Sequence, residues 1–220
     1  QRMKKRFIAL IALFAVFVTC LAGCGKRNAV ELGYVDLKNN STGFTTTEAD
    51  TAIAVGIKKG NSLLLDVNAY LATLTDDDTK SLMQNMVNLN VDENSSYERA
   101  ESAVSPSANT FKVGMECDYA PYNWTQNTDA NGGYPIANQS GKYANGYDVQ
   151  IAYNIAESLG LKLEIYSYTW EGLIPAVQSG ALDAIVAGMS PTDERKEEIA
   201  FSTPYYNSNL VIVTRKDSSV

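Results

Sequence analysis

The chain has 220 residues, of which 45% are hydrophobic, and a formal net charge of −7. This hydrophobic content is enough for one substantial core or two small ones. The acidic balance argues against nucleic acid as a partner, because phosphate binding needs a basic face. The sequence contains no histidine, which removes the usual general base and the commonest metal ligand. We therefore expect neither a metal site nor a cofactor.

Residues 1–23 have the pattern of a secretion signal. Basic residues 4–6 precede an apolar run over residues 7–21, which is shorter than the roughly 20 residues of a comfortable membrane span. The sequence Leu-Ala-Gly-Cys that ends at Cys24 resembles the lipobox of bacterial lipoproteins, which implies cleavage before Cys24 and a lipid on its thiol. An uncleaved anchor is the alternative. We expect an extracytoplasmic protein, lipid-anchored to the bacterial cell membrane, with residues 24–30 as a tether.

The three cysteines of the sequence predict no disulfide. Cys20 would leave with the signal and Cys24 would carry the lipid, so Cys117 has no partner. Nothing near Cys117 in the sequence depresses its pKa, so we interpret it as an inert thiol.

Residues 31–91 form a first block of predicted strands and helices. Strands are predicted at 32–37 and 52–57, a helix at 62–74, and a second helix that begins at Thr75. The Thr75 hydroxyl can cap a first turn that contains Asp76, Asp77 and Asp78. Acidic residues are favoured at a helix N-terminus, so a metal site there is the weaker interpretation. Residues 92–110 are polar with little apolar content, which predicts a linker.

Residues 111–220 form a second block in which strands and helices alternate. Asp148 is expected to cap the first of its helices, and Gly160 and Gly180 are expected to end the first and second. Strands separated by helices predict parallel pairing and a doubly wound α/β sheet. The predicted elements are strands at 111–115, 161–165 and 182–187 and helices at 149–159 and 170–178.

A third helix of this block begins after the last predicted strand, near residue 190. Ser190 or Thr192 can cap it, and Pro191 suits its first turn. The free backbone N–H groups at such a helix start attract a carboxylate or phosphate. Arg195, one turn in, can add a bidentate fork for a carboxylate, or it can simply pair with Glu198 in solvent.

The segments that follow the three strands of this block are expected to meet. Ligands of doubly wound sheets collect at the carboxyl ends of parallel strands. The segments 116–122, 168–170 and 188–195 supply a carboxylate, aromatic rings and the helix start. This is a complementary set for a zwitterion that carries a side chain.

Four motifs resemble the extracellular solute-binding proteins of amino-acid ABC importers, which have the type II periplasmic-binding fold. They occur in the family's order and spacing, at residues 114–122, 146–152, 170–176 and 187–206. The resemblance implies a binding protein rather than an enzyme, with an amino acid and an ABC permease as its partners.

The resemblance also implies roles for individual residues. Arg195 would clamp the ligand α-carboxylate with help from Ser190 and Thr192, and the Gly188 carbonyl would meet the α-ammonium. The side chain of the ligand would lie between Tyr119 and Trp170. Glu116 lies where related proteins often have an acid that meets a polar or basic side chain, so a polar or cationic amino acid is favoured.

The order of the parts departs from the family. The block 31–91 resembles the end of such a protein, with a hinge strand and the helices that finish the first lobe, yet here it comes first. Residues 111–220 resemble the front half of the family, up to the first hinge strand at 210–215, and most of the second lobe has no counterpart. We therefore expect a circularly permuted first lobe that lacks most of its partner lobe, with an open site and weak affinity. An inactive remnant, a dehydratase of the same fold and a sensor domain are the alternatives.

Overall fold

The computed structural model describes residues 31–36 and 48–216. The predicted signal peptide, Cys24 and the tether lie outside these residues. Within the described ranges, no helix is long and apolar enough to cross a membrane. Within them the strands are β1 (Leu32–Asp36), β2 (Ala52–Ile57), β3 (Thr110–Met115), β4 (Asp118–Tyr119), β5 (Asn123–Gln126), β6 (Tyr134–Pro135), β7 (Tyr143–Asn145), β8 (Lys162–Ser167), β9 (Ala184–Ile185), β10 (Ala200–Asn207) and β11 (Val211–Arg215). The helices are α1 (Glu48–Thr51), α2 (Leu63–Leu71), α3 (Asp76–Val91), α4 (Tyr147–Leu159), α5 (Trp170–Ser179) and α6 (Asp193–Glu198).

The chain divides into two compact units. The smaller unit contains the antiparallel pair of β1 and β11, in which Leu32 lies opposite Arg215 and Asp36 opposite Val211. Several of its apolar side chains are exposed, including Tyr34 and Val213. The larger unit, residues 37–210, holds the other strands and all the helices.

The larger unit is built on a five-stranded mixed sheet with the order β10-β2-β9-β3-β8. β3 runs parallel to β8 and β9, as the alternation of strands and helices predicted. β2, from the first sequence block, pairs antiparallel with β9 and with β10. Every residue of β2 is buried, as in strands whose two faces are both covered. The α/β class is as expected.

Helices from both sequence blocks share the core of this unit. α2 and α3, from the first block, pack against α4, from the second. α5 lies on β2, β3 and β9. The helix approaches closely at Gly114, where a Cβ atom would lie 3.0 Å from Leu173 Cδ2. The helices of the first block therefore pack in the same core as the elements of the second block. The permuted order relative to the family stays a prediction.

Local signals predicted most element ends. Thr75 caps α3 through a capping box with Asp78, as expected. Gly160 and Gly180 end α4 and α5 in the left-handed conformation, also as expected. The third predicted strand is shorter than residues 182–187, since only Ala184–Ile185 pair.

The prediction that Asp148 caps α4 is wrong. The N-cap is Gly146, with φ 127°, and Asp148 lies fully buried in the first turn. A Cβ atom at Gly146 would lie 2.3 Å from the Tyr122 carbonyl oxygen, so only glycine allows this close approach. The Asp148 side chain instead accepts hydrogen bonds from Asn123 and Tyr205, which lie outside α4.

A second, antiparallel sheet was not expected from the sequence. Its order is β4-β5-β7-β6, and it lies in the chain between β3 and α4. β4 and β6 have two residues each. Strands this short carry no alternating pattern that sequence reading could detect.

The segment predicted as a linker has no regular structure, yet it is held against the larger unit. The Arg99 guanidinium donates to the Gly132 carbonyl at 2.6 Å and lies over the rings of Tyr134 and Tyr153. The Ala103 amide donates to the Glu157 carboxylate at 2.9 Å. Residues 92–109 therefore follow a fixed path from α3 to β3.

Candidate functional site

The three predicted site segments meet at one edge of the main sheet. Because β3, β8 and β9 are parallel neighbours, their carboxyl ends lie on the same side. The segment after β3 touches the end of β8, where the Ser167 hydroxyl donates to the Glu116 carbonyl at 3.2 Å and the Tyr168 amide donates to the Met115 carbonyl at 3.0 Å. This edge is the candidate site.

Arg195 and Trp170 come together from the other two segments. The guanidinium lies 5.0 Å from the Trp170 ring, a cation–π contact, and it donates to the Ser190 carbonyl at 2.9 Å. Both side chains are half-buried. Arg195 and Glu198 both belong to the described part of the chain, and no ion pair joins them, so Arg195 turns toward the site.

The helix start differs in detail from its prediction. Thr192 is the N-cap of α6 and accepts a hydrogen bond from the Arg195 amide at 3.4 Å. Ser190 is not the cap, since its hydroxyl donates to the Asp50 carbonyl at 3.4 Å, and Pro191 precedes the helix instead of joining its first turn. α6 has only six residues. The Ser190 carbonyl and the Thr192 hydroxyl therefore both accept hydrogen bonds from Arg195.

Gly188 and Tyr119 bring the segments 188–195 and 116–122 into contact. Gly188 has φ 60°, and a Cβ atom there would lie 2.9 Å from Tyr119 Cε1. Only glycine combines this backbone conformation with so close a ring. Tyr119 is 47% exposed, and its ring centroid lies 5.1 Å from that of Tyr122. Tyr119 therefore presents one aromatic face at an open edge of the site.

Glu116 brings negative charge to the same edge. Its pKa is raised by partial burial and by the neighbouring carboxylates of Asp118 and Glu171. Two carboxylates close enough to raise the pKa of a third make this edge of the site electronegative. Cys117, the next residue, is buried, and burial raises its thiol pKa to about 12, in line with an inert thiol.

A buried polar network behind the site was not identified from the sequence. Asp148 accepts a hydrogen bond from the Tyr205 hydroxyl at 2.6 Å and one from the Asn123 amide at 2.8 Å. Burial raises the pKa of Asp148 to about 6, and the hydrogen bonds from Tyr205, Asn123 and the Gly188 amide oppose that rise. The one available signal was an acidic residue among the apolar residues of α4, and it suggested a cap instead.

The site offers groups of opposite charge. The guanidinium of Arg195 is positive and lies beside the Trp170 ring, and the carboxylate of Glu116 is negative. Among residues 31–36 and 48–216, no cluster of acids and cysteines could hold a metal ion.

The chain resembles known proteins over its second half. Residues 111–220 match the family model described as bacterial extracellular solute-binding proteins, family 3. The arginine-binding extracellular protein ArtP of Bacillus subtilis (strain 168) is 32% identical over 108 residues, which are 49% of this chain and 37% of that protein. A probable histidine-binding protein of Campylobacter jejuni is 32% identical over 126 residues, which are 56% of this chain and 44% of that protein.

A solved structure is also similar. A point mutant of the arginine-bound form of domain 1 from TmArgBP has 31% sequence identity and a TM-score of 0.38, over 50% of this chain and 81% of that one. The chain spans less than half the length of the two curated relatives named above.

Proposed function

The chain belongs to the bacterial extracellular solute-binding proteins of family 3, and from that premise we propose that it binds a cationic amino acid of the arginine type. Membership makes the chain a binding protein rather than an enzyme, so the dehydratase alternative is not retained. The observation that carries the proposal is the presence of Arg195 and Glu116, of opposite charge, on segments that follow neighbouring parallel strands.

Arg195 is suited to the α-carboxylate of the ligand. One of its guanidinium nitrogens donates to the Ser190 carbonyl, and its other donors have no hydrogen-bond partner among the residues that the structure describes. A planar fork held on one side and stacked on Trp170 is pre-organised for a bidentate bond to a carboxylate. In this proposal the Gly188 carbonyl accepts from the α-ammonium, and Ser190 and Thr192 support the carboxylate end.

Glu116 is suited to the far end of the ligand. The raised pKa of this carboxyl reports burial and two neighbouring acids, Asp118 and Glu171. A ligand cation at this position would relieve the repulsion among the three carboxylates, whereas a neutral side chain would leave it. Tyr119 and Trp170 would enclose the aliphatic part of the ligand. Two of the relatives are named as an arginine-binding and a probable histidine-binding protein, which supports a ligand with a basic side chain.

We also propose a role for the chain in amino-acid transport. In it, the chain delivers its amino acid to an ABC permease outside the cytoplasm and is held at the membrane by a lipid on Cys24. Mass spectrometry of the protein purified from a bacterial membrane tests the anchor. A peptide that begins at a diacylglycerol-modified Cys24 would support it, and an unmodified Cys24 behind an intact signal would contradict it.

Titration of the isotope-labelled chain, followed by NMR, tests the ligand. Arginine and citrulline are a matched pair, because citrulline replaces the guanidinium with a neutral group of nearly the same shape. We expect saturable shifts at the Gly188 and Trp170 amides with arginine and lysine, and affinity for citrulline weaker by about tenfold, or about 1.4 kcal/mol. Equal affinities would remove Glu116 as a cation site. No saturable shift with any amino acid would favour the inactive remnant.

A further inference from the structure

We propose that Asp148 is the positioning residue that fixes the two ligand-facing turns, at Cys117 and at Gly188, relative to each other. The inference rests on the proposed function for its link to ligand binding. It assigns a role to a side chain that does not touch the ligand. The role follows from the hydrogen bonds that converge on its carboxylate from two loops.

The first loop is tied through Asn123. The Cys117 amide donates to the Asn123 side-chain oxygen at 2.7 Å, and the Asn123 side-chain nitrogen donates to Asp148 Oδ2 at 2.8 Å. Asn123 is fully buried, so both bonds are made away from solvent. Cys117 has φ 60°, a conformation that non-glycine residues seldom adopt without support. This turn carries Glu116 on one side and Tyr119 on the other.

The second loop is tied through Tyr205. The Tyr205 hydroxyl donates to Asp148 Oδ1 at 2.6 Å and accepts from the Gly188 amide at 3.3 Å. Tyr205 is 3% exposed, and its own carbonyl accepts from the Tyr147 hydroxyl at 2.9 Å, which fixes the strand that carries it. Gly188 opens the segment that leads to Arg195. One carboxylate therefore connects both sides of the ligand site.

An ionised carboxylate satisfies both donors at this position. The Asn123 nitrogen can only donate, and Asn123 cannot exchange its two ends because the Cys117 amide already occupies its oxygen. An asparagine at residue 148 would keep its oxygen toward Asn123 and turn its nitrogen toward the Tyr205 hydroxyl, which would lose the charged acceptor for its proton and could only accept a weaker, neutral hydrogen bond. A proton on Asp148 would have the same effect.

The charge of Asp148 is balanced by hydrogen bonds. The titratable groups that face it are Tyr205 on β10, Tyr122 and Cys117 in the segment after β3, and Tyr147 on its own helix. None of these is a cation. Burial raises the pKa of Asp148 to about 6, so its protonation can be followed in an accessible pH range.

NMR of the ligand-free chain tests the inference without reference to any ligand. The amide shifts of Cys117 and Gly188 are followed from about pH 4 to about pH 8, a window of about two units on either side of the expected midpoint. The Glu116→Gln background removes the neighbouring carboxyl that could also move the Cys117 signal. We expect both amides to titrate with one midpoint near pH 6, and to lose that titration in Asp148→Asn. The exposed Asp66→Asn is the matched control and should keep it.

Tyr205→Phe serves if Asp148→Asn does not fold. It removes one of the donors to Asp148 and keeps the ring. Because the hydrogen bond from Tyr205 opposes the rise in pKa that burial causes, the common midpoint of the two amides should move to higher pH. Midpoints that differ between the two amides in the parent chain, or a titration that survives Asp148→Asn, would overturn the inference.

Arginine binding is the second measurement. Asp148→Asn should weaken it by about tenfold at pH 7.5, by the loss of one charge-assisted hydrogen bond, and should flatten its dependence on pH near 6. If the parent chain binds no amino acid and the two amides still titrate together, the proposed function fails and the positioning role stands.

Discussion

In the part of the chain that the structure describes, two arginines lie over aromatic rings, one in the segment 92–109 and one at the candidate site. Arg99 lies 5.1 Å from the Tyr134 ring centroid and 4.4 Å from that of Tyr153, and it donates to the Gly132 carbonyl. Arg195 lies over the single ring of Trp170 and donates to the Ser190 carbonyl. Each arginine thus has one bond to a carbonyl, and they differ in the number of rings around them.

The difference separates a structural arginine from a binding one. Two tyrosine rings enclose Arg99, so its interactions are made within the chain and contribute to holding the segment in place. Arg195 lies over a single ring, at the edge of the sheet where the three site segments meet. A guanidinium that one ring leaves open at such an edge is available to an anionic ligand group.

The largest effect is expected from Arg195→Lys. Lysine keeps the charge but loses the planar fork, so arginine binding should weaken by about 2 to 3 kcal/mol, the scale of a charged hydrogen bond. NMR titration should then give no saturation at concentrations that saturate the parent chain, while the free energy of unfolding changes little. Arg99→Lys makes the same chemical change at the other stack and should leave ligand affinity unchanged. If arginine affinity fell equally in the two variants, Arg195 would not be the ligand-binding arginine of the pair.

Arg99→Ala should act on stability instead. Two cation–π contacts and one charged hydrogen bond are lost, which we expect to lower the free energy of unfolding by about 2 kcal/mol. Urea denaturation followed by circular dichroism measures the change, and arginine titration of the folded variant should match the parent chain. Unchanged stability would mean that residues 92–109 are held by their other contacts, such as the Ala103 amide to Glu157.

Glu116→Gln should remove the preference for a cation, about 1.4 kcal/mol, so that arginine and citrulline bind alike. The pKa of Glu116 is raised by burial and by Asp118 and Glu171. Cation binding needs the ionised form, so affinity for arginine should fall as the pH drops through that raised pKa. The variant should lose this part of the pH dependence. A preference for arginine that persists in Glu116→Gln would assign the cation to Asp118 or Glu171.

Local signals in the sequence predicted much of this fold. β2 was placed at its observed bounds, and the glycines that end α4 and α5 were recognised, because an apolar run or a glycine stop is visible within a few residues. The rule for parallel strands then brought Glu116, Trp170 and Arg195 to one edge. Each of these predictions depends on short-range patterns and one general rule of topology.

Features that depend on contacts across the chain were missed. The Arg99 side chain meets Gly132 and two distant tyrosines, and nothing in residues 92–110 indicates such partners. Asp148 was interpreted as a cap because an acid at a helix start usually is one. Its actual partners, Asn123 and Tyr205, are 25 and 57 residues away. The residues behind a site are therefore the part of it that a single sequence reveals least.

The smallest change in arginine affinity is expected from Trp170→Phe, which tests how much the ring beside Arg195 contributes. Phenylalanine keeps an aromatic face under Arg195 but offers a weaker attraction for a cation, so arginine affinity should fall by about 0.5 kcal/mol. The matched change Tyr134→Phe at the other stack removes the hydroxyl that donates to the Leu163 carbonyl at 3.0 Å, and it should act on stability alone. A loss of several kcal/mol in Trp170→Phe would indicate that the indole contacts the ligand directly. In that case Trp170 would be a specificity residue in its own right, and the stacking of Arg195 on it would be secondary.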